Sequence, residues 1–475
     1  MSKAVITILG TIGKKDTPKF EPNKVNFIEK LKYLFDDKIV KCEKKVTSTF
    51  PKAKYKSQVE EIKETENINA LPILIDTFQK RGYEIVSLYT EFAKSKQEEV
   101  LKHLGIEYEF KDEWKIEDET DFDAIFSQID SIIDDYDEVI LDVSHGFRHL
   151  PILAIVDAII HNLKDTERIK KILFAKEIIF QKEYEFIDLK RYLDLANISY
   201  ALNTFNRNYT VANNIKVTDE NFANLLDSLS EFSKHILANS IYALLIDTKK
   251  RDSILTKLII QMEEILNNDD DIYKSIKRPL GAIKRHLQKI ELYRNKTNYE
   301  TTYLLAQEMH KKGYLLNSIT LLSEAVGMLC MNEIKKLDSN IEDVIDEYEK
   351  RAISQKNSQN PPFKLYELYN QSKKFYKWGS EYRSRNSNVC YLSVYNKSGK
   401  YSDWNIGAKE NEYFIKMKFS SKKRDEKLLE LIDKIDNTRN NLAHANTSQR
   451  LDDVEKEIQN LLKEFSNIMH RLKGD

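Results

Sequence analysis

The sequence predicts an α/β N-terminal part with a parallel-rich sheet, followed by an all-α C-terminal part. Short β-rich runs alternate with helical patterns up to about residue 190, and beyond that point apolar residues recur at helical spacing. Glycine (12) and proline (8) are both scarce among the 475 residues. This scarcity disfavours a turn-rich all-β protein and favours long helices.

The strands of the N-terminal part are predicted from short, nearly continuous apolar runs. They are AVITILG from Ala4, YEIVSLYT at 83–90, DEVILDVSHG at 137–146, KKILFAKE and YEFIDL. Helical patterns such as INALPILIDTFQKRG and PILAIVDAIIHNL lie among them. Because strands buried on both faces are apolar along their whole length, this alternation predicts a parallel sheet covered by helices on both sides.

The β signal fades from about Leu189. We therefore interpret 1–190 as an α/β domain and 191–475 as a helical region, with 353–424 as an insertion into it. The insertion opens on the polar segment ISQKNSQNPP, which predicts a loop. Long helical patterns flank the insertion, for example GYLLNSITLLSEAVGMLCMNEI before it and DEKLLELIDKIDNTRNNLAHA after it.

Composition limits the classes of function. The 75 basic and 76 acidic residues leave a net charge of −1, so a nucleic-acid partner must be argued from local patches. Cys42, Cys330 and Cys390 are far apart and form no CxxC pair, which argues against a disulfide framework or a cysteine zinc site. The N-terminus lacks signal-peptide features and no apolar run approaches the roughly 20 residues of a membrane span, so we expect a cytoplasmic protein.

Two predicted strands end in residues suited to ligand binding. In open α/β sheets, ligands bind beyond the carboxyl ends of the strands. The first strand runs into LGTIGKK, where Gly10 and Gly13 allow close approach of the backbone and Thr11 offers a hydroxyl. Taken alone this signal is weak, because a strand followed by a glycine turn is routine structure.

The strand that ends in DVSHGFRHLP carries a more specific ligand-binding signal than the first strand. Ser144, His145 and Gly146 lie where the chain turns from strand to helix, so backbone N–H groups there would face an anion. Arg148 could add a bidentate phosphate contact. Two structural alternatives stay open: Ser144 as a helix N-cap only, and Arg148 as a partner of Asp142.

Ordinary cofactors are not indicated at these strand ends. His145 and His149 have no evident third ligand nearby, so we expect no metal. The GxGxxG and Walker A patterns are also missing, so NAD or ATP binding is not predicted.

These motifs resemble one branch of CRISPR-associated proteins, the CARF–HEPN ribonucleases. DVSHGFRHLP is similar to the branch signature Asp-Val-Thr/Ser-His-Gly-Phe-Arg, and ITILGT resembles the start of the same proteins. The resemblance implies a Rossmann-like CARF domain that senses a cyclic oligoadenylate, and a homodimer around that two-fold symmetric ring. It places around the ligand the residues Gly10, Thr11, Ile12, Gly13, Ser144, His145, Gly146, Phe147 and Arg148.

A second candidate site lies near the C-terminus, in NTRNNLAHANTS. A polar stripe is formed there at i, i+3, i+4 and i+7 by Asn437, Asn440, Asn441 and His444. Arg439 precedes His444 by five residues, which is about 140° around an ideal helix. To act together with His444, the Arg439 side chain must therefore reach around the helix, or the helix must deform. Otherwise a second copy of the chain must complete the site. The plain alternative is a fraying helix end.

RNNLAH resembles the Arg-x4-6-His motif of HEPN ribonucleases, which commonly has Asn after the Arg. The resemblance implies metal-independent RNA cleavage in which Arg439 holds the scissile phosphate, His444 exchanges a proton and Asn440 orients either group. Asn441 is a weaker candidate. GYLLNSITLLSEAV is also similar to a helix of the same family.

A basic, aromatic segment between Phe363 and Arg424 holds fourteen Lys/Arg, five Asp/Glu and fourteen aromatic residues. Its densest parts are KKFYKW, which begins at Lys373, and EYRSRN, which begins at Glu381. Such a composition suits single-stranded RNA, but equally an insertion with its own aromatic core and solvated lysines.

The two resemblances together predict a cyclic-oligoadenylate-activated, single-strand RNA endoribonuclease of CRISPR antiviral defence, without a catalytic cofactor. One alternative is a non-catalytic sensor whose helical region serves dimerisation or partner binding. Another is a self-limiting protein whose CARF domain also degrades the activator, with Thr11 or Ser144 helping to position a 2′-hydroxyl.

Overall fold

The structure is a computed structural model that describes most of the chain. The described residues are 2–10, 50–145, 149–212, 215–247, 251–269, 271–336, 425–444 and 448–474, single residues between 342 and 373, and the strands at 389–393 and 414–418. Two compact units are present, Met1–Tyr200 with Asn213–Ala223, and Ala201–Ala212 with Asn224–Asp475.

The first unit is built on a seven-stranded sheet. Its strands are β1 (Lys3–Ile8), β2 (Ala53–Ser57), β3 (Thr65–Asn67), β4 (Glu84–Leu88), β5 (Glu138–Asp142), β6 (Ile169–Ile179) and β7 (Glu183–Asp188). They are ordered β3-β2-β7-β6-β5-β1-β4. The run β4-β1-β5-β6 is parallel, β7 pairs antiparallel with β6, and β2 pairs parallel with β7. The predicted parallel-rich α/β fold is confirmed.

Apolar burial along the central strands explains why this sheet forms. Ala4, Val5 and Ile6 are fully buried in β1, as are Val139 and Leu141 in β5. All five predicted strands are present, as β1, β4, β5, β6 and β7. The strands β2 and β3 were not predicted because AKYKS and TEN are short and mostly polar, which is typical of the sheet margin where they lie.

In the described part of the chain, four helices accompany the seven-stranded sheet before the chain becomes mainly helical. They are α1 (Ala70–Phe78), α2 (Glu91–Leu104), α3 (Phe122–Asp134) and α4 (His149–Lys164). The remaining helices are α5 (Lys190–Asn208), α6 (Glu220–Leu237), α7 (Ile241–Leu245), α8 (Ile254–Asn267), α9 (Asp271–Lys274), α10 (Lys277–Glu291), α11 (Asn298–Lys311), α12 (Leu315–Lys335), α13 (Glu426–Ala443) and α14 (Leu451–Lys473). Short 3₁₀ turns occur at Gln79–Arg81, Asp112–Trp114 and Leu292–Asn295.

The helices α11, α12, α13 and α14 pack against one another in the second unit. A capping box of Thr297 and Glu300 starts α11. The chain then turns at Gly313, whose φ of 79° is left-handed and ends the helix. The apolar pattern that continues through this point therefore folds as two helices rather than one.

A two-stranded antiparallel sheet also lies in the mainly helical part. It pairs β8 (Val389–Ser393) with β9 (Phe414–Lys418). The all-α expectation did not include this pair, because VCYLS and FIKMK are short and sit within the segment interpreted as an insertion.

The helix α12 is long and apolar enough, by length and composition alone, to cross a membrane. Its most apolar window has a mean hydropathy of 1.3, so the expectation of no run near this length overlooked it. However, 67% of that window is buried inside the structure. Because α12 packs against α11, α13 and α14, its apolar character is that of a core helix.

Gly327 allows a close approach between α12 and the segment that contains Tyr369. A Cβ at position 327 would lie 2.8 Å from Tyr369 Cβ and 2.9 Å from its carbonyl oxygen. We expect Gly327→Ala to lower the free energy of unfolding by about 1–3 kcal/mol through overpacking. Denaturant titration of the full chain measures this change.

Gly281 is the matched control, since it is also helical. A Cβ there would meet only Arg285 Nη1 at 3.6 Å, an ordinary contact. Gly281→Ala should be neutral or stabilise by up to about 1 kcal/mol through helix propensity. Equal effects of the two substitutions would contradict the proposed packing at Gly327.

Two candidate functional sites

The first candidate site lies at the carboxyl edge of the parallel strands. Gly10 follows β1 closely, and Ser144 and His145 follow β5, its hydrogen-bonded neighbour. Parallel neighbours end at the same sheet edge, so these three residues lie at one edge; their role in ligand binding stays a prediction. The other predicted ligand residues lie outside the described part of the chain; they are Thr11, Ile12, Gly13, Gly146, Phe147 and Arg148.

Asp142, at the end of β5, organises this edge. Its carboxylate is fully buried and accepts a hydrogen bond from Thr7 Oγ1 of β1 at 2.7 Å. The other carboxylate oxygen accepts the Ser144 backbone N–H at 3.2 Å and the Ser144 hydroxyl at 2.5 Å. Asp142 thus links two strands and holds the turn after β5. The sequence suggested only a pairing with Arg148 for this residue.

The Ser144 hydroxyl is engaged on both sides. It donates to Asp142 and accepts the backbone N–H of Ala175, in β6, at 2.8 Å. These bonds give the side chain a structural role in the turn between β5 and α4. A ligand beyond the sheet edge would therefore meet the backbone of this turn more readily than the Ser144 hydroxyl proton.

His145 has a buried ring nitrogen, Nε2. Its Nε2 makes no hydrogen bond to any residue that the structure describes. Burial lowers the pKa of His145, and the nearby Asp142 carboxylate only partly opposes this effect. The ring is therefore neutral at neutral pH and keeps one nitrogen available for a bound molecule.

Two buried amides at the same edge were not predicted as site residues. Gln97 of α2 donates to the Gly10 carbonyl at 3.5 Å and accepts from Asn69 Nδ2 at 2.9 Å. The Asn69 Oδ1 atom is buried and has no hydrogen-bond partner among the described residues. The available sequence signal was Gln97 itself, which lies at i+4 from Ala93 on the apolar face of α2.

His149 has a local role at the start of α4. Its Nε2 lies 2.9 Å from the backbone carbonyl of Glu119. Its ring packs against Phe122, with centroids 4.9 Å apart. These contacts hold the first turn of α4 against the start of α3.

The second candidate site is the last turn of α13. Asp425 caps the start of this helix by accepting the Leu428 N–H at 2.9 Å. The buried face of the helix comprises Leu428, Leu431, Ile432, Ile435 and Thr438. The Thr438 hydroxyl donates to the Lys434 carbonyl at 2.9 Å and also contacts Glu457 of α14.

The predicted polar stripe lies on the opposite, exposed face. Its exposed members are Asn437, Asn440, Asn441 and His444. The helix is continuous up to Ala443, and the His444 N–H donates to the Asn440 carbonyl at 3.0 Å. The helix is regular between Arg439 and Ala443. The predicted offset of about 140° around the helix axis between Arg439 and His444 is therefore not removed by a deformation of the helix.

Arg439 is half-buried and lies near Glu324 of α12. Burial raises the pKa of Glu324, while the positive charges of Lys373 and Arg439 oppose the rise. Arg439 has no carboxylate within 4.0 Å among the residues described. Its guanidinium therefore interacts with Glu324 through charge at longer range and forms no close ion pair with a described residue.

A buried lysine joins the helices that carry these groups. Lys373 is 5% exposed, and its Nζ donates to Ser323 Oγ at 2.6 Å and to Asp436 Oδ1 at 3.2 Å. Asp436 lies one turn before Arg439 on α13. The charge of Lys373 is therefore used inside the protein, and this residue offers neither an RNA contact nor a solvated lysine.

The comparisons with known proteins bear on the first site. Residues 5–188 match the CARF domain of the CRISPR system endoribonuclease Csx1. The match spans β1 to β7, and no curated protein is significantly similar to the chain. The N-terminal unit is therefore a CARF domain, a domain that senses cyclic oligoadenylate in type III CRISPR defence, and this part of the predicted resemblance is confirmed.

Removal of the buried lysine should destabilise the second unit. Lys373→Met leaves Asp436 and Ser323 without their partner, so we expect a loss on the order of 3 kcal/mol in the free energy of unfolding. Lys434 is the control, since its pair with Glu464 at 3.1 Å is exposed. Lys434→Met should cost less than about 1 kcal/mol in the same denaturant titration. Similar losses would refute the internal role of Lys373.

His145 should make the CARF domain sensitive to acid. Its folded-state pKa is lowered, so the unfolded chain binds more protons below about pH 6.5 and stability falls as the pH decreases. We expect His145→Gln to reduce the drop in unfolding temperature between about pH 7.5 and about pH 5.5. His103→Gln, at an exposed site on α2, should leave that drop unchanged. An unaltered drop in the His145 variant would show that this ring is not protected from protonation.

Proposed function

We propose that this chain is a metal-independent, single-strand RNA endoribonuclease of CRISPR antiviral defence that cyclic oligoadenylate activates through the CARF domain. One observation carries the proposal: Arg439, Asn440 and His444 lie close together in sequence at the C-terminal end of α13, in a chain that contains a CARF domain. Asn440 and His444 are exposed there, so a large polymeric substrate can reach them.

The residue types suit cleavage by the RNA's own 2′-hydroxyl. His444 is the group that exchanges a proton near neutral pH. Arg439 holds the scissile phosphate and stabilises the charge that develops on it. Asn440 orients the phosphate or His444. The products are a 2′,3′-cyclic phosphate, or a 3′-phosphate, and a 5′-hydroxyl.

The proposed active form is a homodimer in which two copies of α13 complete the site. On the continuous helix, Arg439 and His444 are about 140° apart around the helix axis. This separation favours a site to which two copies of the chain contribute. On the CARF domain, α4 also has an exposed apolar stripe at i, i+4, i+8 and i+11. It consists of Ile152, Val156, Ile160 and Leu163. We assign this stripe to the contact with the second copy, because α4 begins directly after the ligand-binding turn.

In this proposal the ring-shaped activator lies at the carboxyl edge of β1 and β5. We expect backbone N–H groups of the segment that precedes α4 to face its phosphates, as at other helix starts. The His145 Nε2 and Asn69 Oδ1 atoms, which have no partner among the described residues, are further polar contacts in this proposal. Activation is a population shift, so the ligand must bind the cleavage-competent arrangement of the dimer more tightly than the inactive one.

The self-limiting alternative is less well supported. It needs a free group in the CARF domain to position a 2′-hydroxyl of the activator. The Ser144 hydroxyl already donates to Asp142 and accepts from Ala175. Chromatography of the activator after incubation with the His444→Ala variant separates ring opening in the CARF domain from cleavage at α13.

RNA cleavage with and without cyclic tetra- or hexa-adenylate tests the proposal. We expect stimulated cleavage of single-stranded RNA in the presence of EDTA. Arg439→Ala and His444→Ala should each reduce the stimulated rate by about 10²–10⁴-fold, because each removes a group that acts in the transition state.

Two exposed residues of α14 and its cap provide the controls. Arg450→Ala and His470→Ala remove the same side-chain types and should leave the stimulated rate within about twofold, since neither lies on the polar stripe. If both α13 variants cleave like the unmodified chain, the assigned site is wrong. Tight activator binding without cleavage of varied RNAs would favour the non-catalytic sensor.

A further inference from the structure

A cluster of four titratable side chains joins α3 and α4 of the CARF domain. Asp130 and Asp134 are four residues apart on α3, and Asp157 and His161 are four residues apart on α4. Such pairs lie on one face of a helix, one turn apart. Asp130, Asp134 and His161 offer ligand atoms that all lie within 4.8 Å of one another, and Asp157 lies beside His161.

Both ring nitrogens of His161 face carboxylates. Nε2 lies 2.8 Å from Asp130 Oδ1 and 3.6 Å from Asp157 Oδ2. Nδ1 lies 3.5 Å from Asp134 Oδ1. The Asp134 carboxylate is in turn bound by Arg168 Nη1 at 2.7 Å.

Asp157 is the feature that hydrogen bonding within the protein leaves unexplained. It is 0% exposed, and neither of its carboxylate oxygens has a hydrogen-bond partner among the residues described. Its Oδ2 is directed at the Nε2 of His161, which is itself 1% exposed. A buried carboxylate in this condition is stabilised by taking up a proton or by a cationic partner.

We propose that Asp130, Asp157 and His161 Nε2 form a binding site for a divalent transition-metal ion, with Zn²⁺ or Mn²⁺ as the fitting class. Imidazole with carboxylates suits these ions. In a tetrahedral site with metal–ligand bonds of about 2.0–2.1 Å, neighbouring ligand atoms are about 3.3 Å apart. The Nε2–oxygen distances of 2.8 and 3.6 Å lie on either side of that value.

Asp134 acts as the positioning residue for this site. A metal-bound histidine usually donates its other N–H to a carboxylate, which fixes the ring orientation and tautomer. Asp134 lies beside Nδ1, and Arg168 holds Asp134 in place. The exposed side of Asp130, whose side chain is 41% accessible, provides the path by which an ion enters.

The site is separate from the first candidate site. His161 is twelve residues beyond His149 on α4, which is about 18 Å along the helix. A metal there would cross-link α3 to α4, the two helices that flank β5 in sequence. It has no part in the proposed RNA cleavage, so this inference does not depend on the proposed function.

Metal binding by the full chain, stripped with EDTA and then given ZnCl₂ or MnCl₂ alone, tests the inference. We expect one equivalent of metal per chain by mass spectrometry of the dialysed protein, and a higher unfolding temperature with metal. Asp130→Asn and His161→Gln should each abolish the bound equivalent. Asp134→Asn should weaken the affinity by about 10–100-fold, as expected for a residue that orients a ligand.

Asp123→Asn, an exposed change on the first turn of α3, is the matched control and should bind like the unmodified chain. Asp130 is itself partly exposed, so its variant keeps a fold in which loss of metal can be measured. The inference is overturned if the stripped chain takes up no metal. Equal uptake by the Asp130→Asn and unmodified chains would overturn it as well.

Discussion

The buried carboxylate of Asp142 is the constraint on which the ligand edge of the CARF domain depends. A fully buried carboxylate is costly unless its oxygens are hydrogen-bonded, and here Thr7 and Ser144 supply those bonds. The same bonds fasten β5 to β1 and set the path of the turn towards α4. The hydrogen bonds of the Asp142 carboxylate thus help to fix the sheet edge at which the proposed activator site lies.

Buried charge has a similar effect in the helical unit. Lys373 bridges Ser323 of α12 and Asp436 of α13, and Asp436 lies one turn from Arg439. Apolar burial of the opposite face of α13 leaves the asparagines and His444 exposed. The helix can therefore be firmly packed and still present a polar end to a substrate, since packing and presentation use different faces.

The cluster around Asp157 differs from these two, because its charges are only partly satisfied within the protein. Asp142 and Lys373 each have close polar partners, whereas neither oxygen of Asp157 accepts a hydrogen bond in the described structure. This difference needs a physical reason, because a buried carboxylate without hydrogen bonds is costly. A bound cation is the reason that best fits the geometry of His161.

The amino-acid sequence alone predicted the parallel-rich sheet, the change to helices near residue 190 and the position of Gly10, Ser144 and His145 at one sheet edge. It could do so because apolar periodicity and the rule that parallel strands end together are local properties of the chain. The role of these three residues in ligand binding stays a prediction. Only the tertiary structure revealed the role of Asp142, the burial of Lys373, the Gln97–Asn69 pair and the convergence of Asp130, Asp157 and His161. Each of these depends on contacts between residues far apart in the chain. A polar residue in a sequence looks the same whether it will face water or a buried partner.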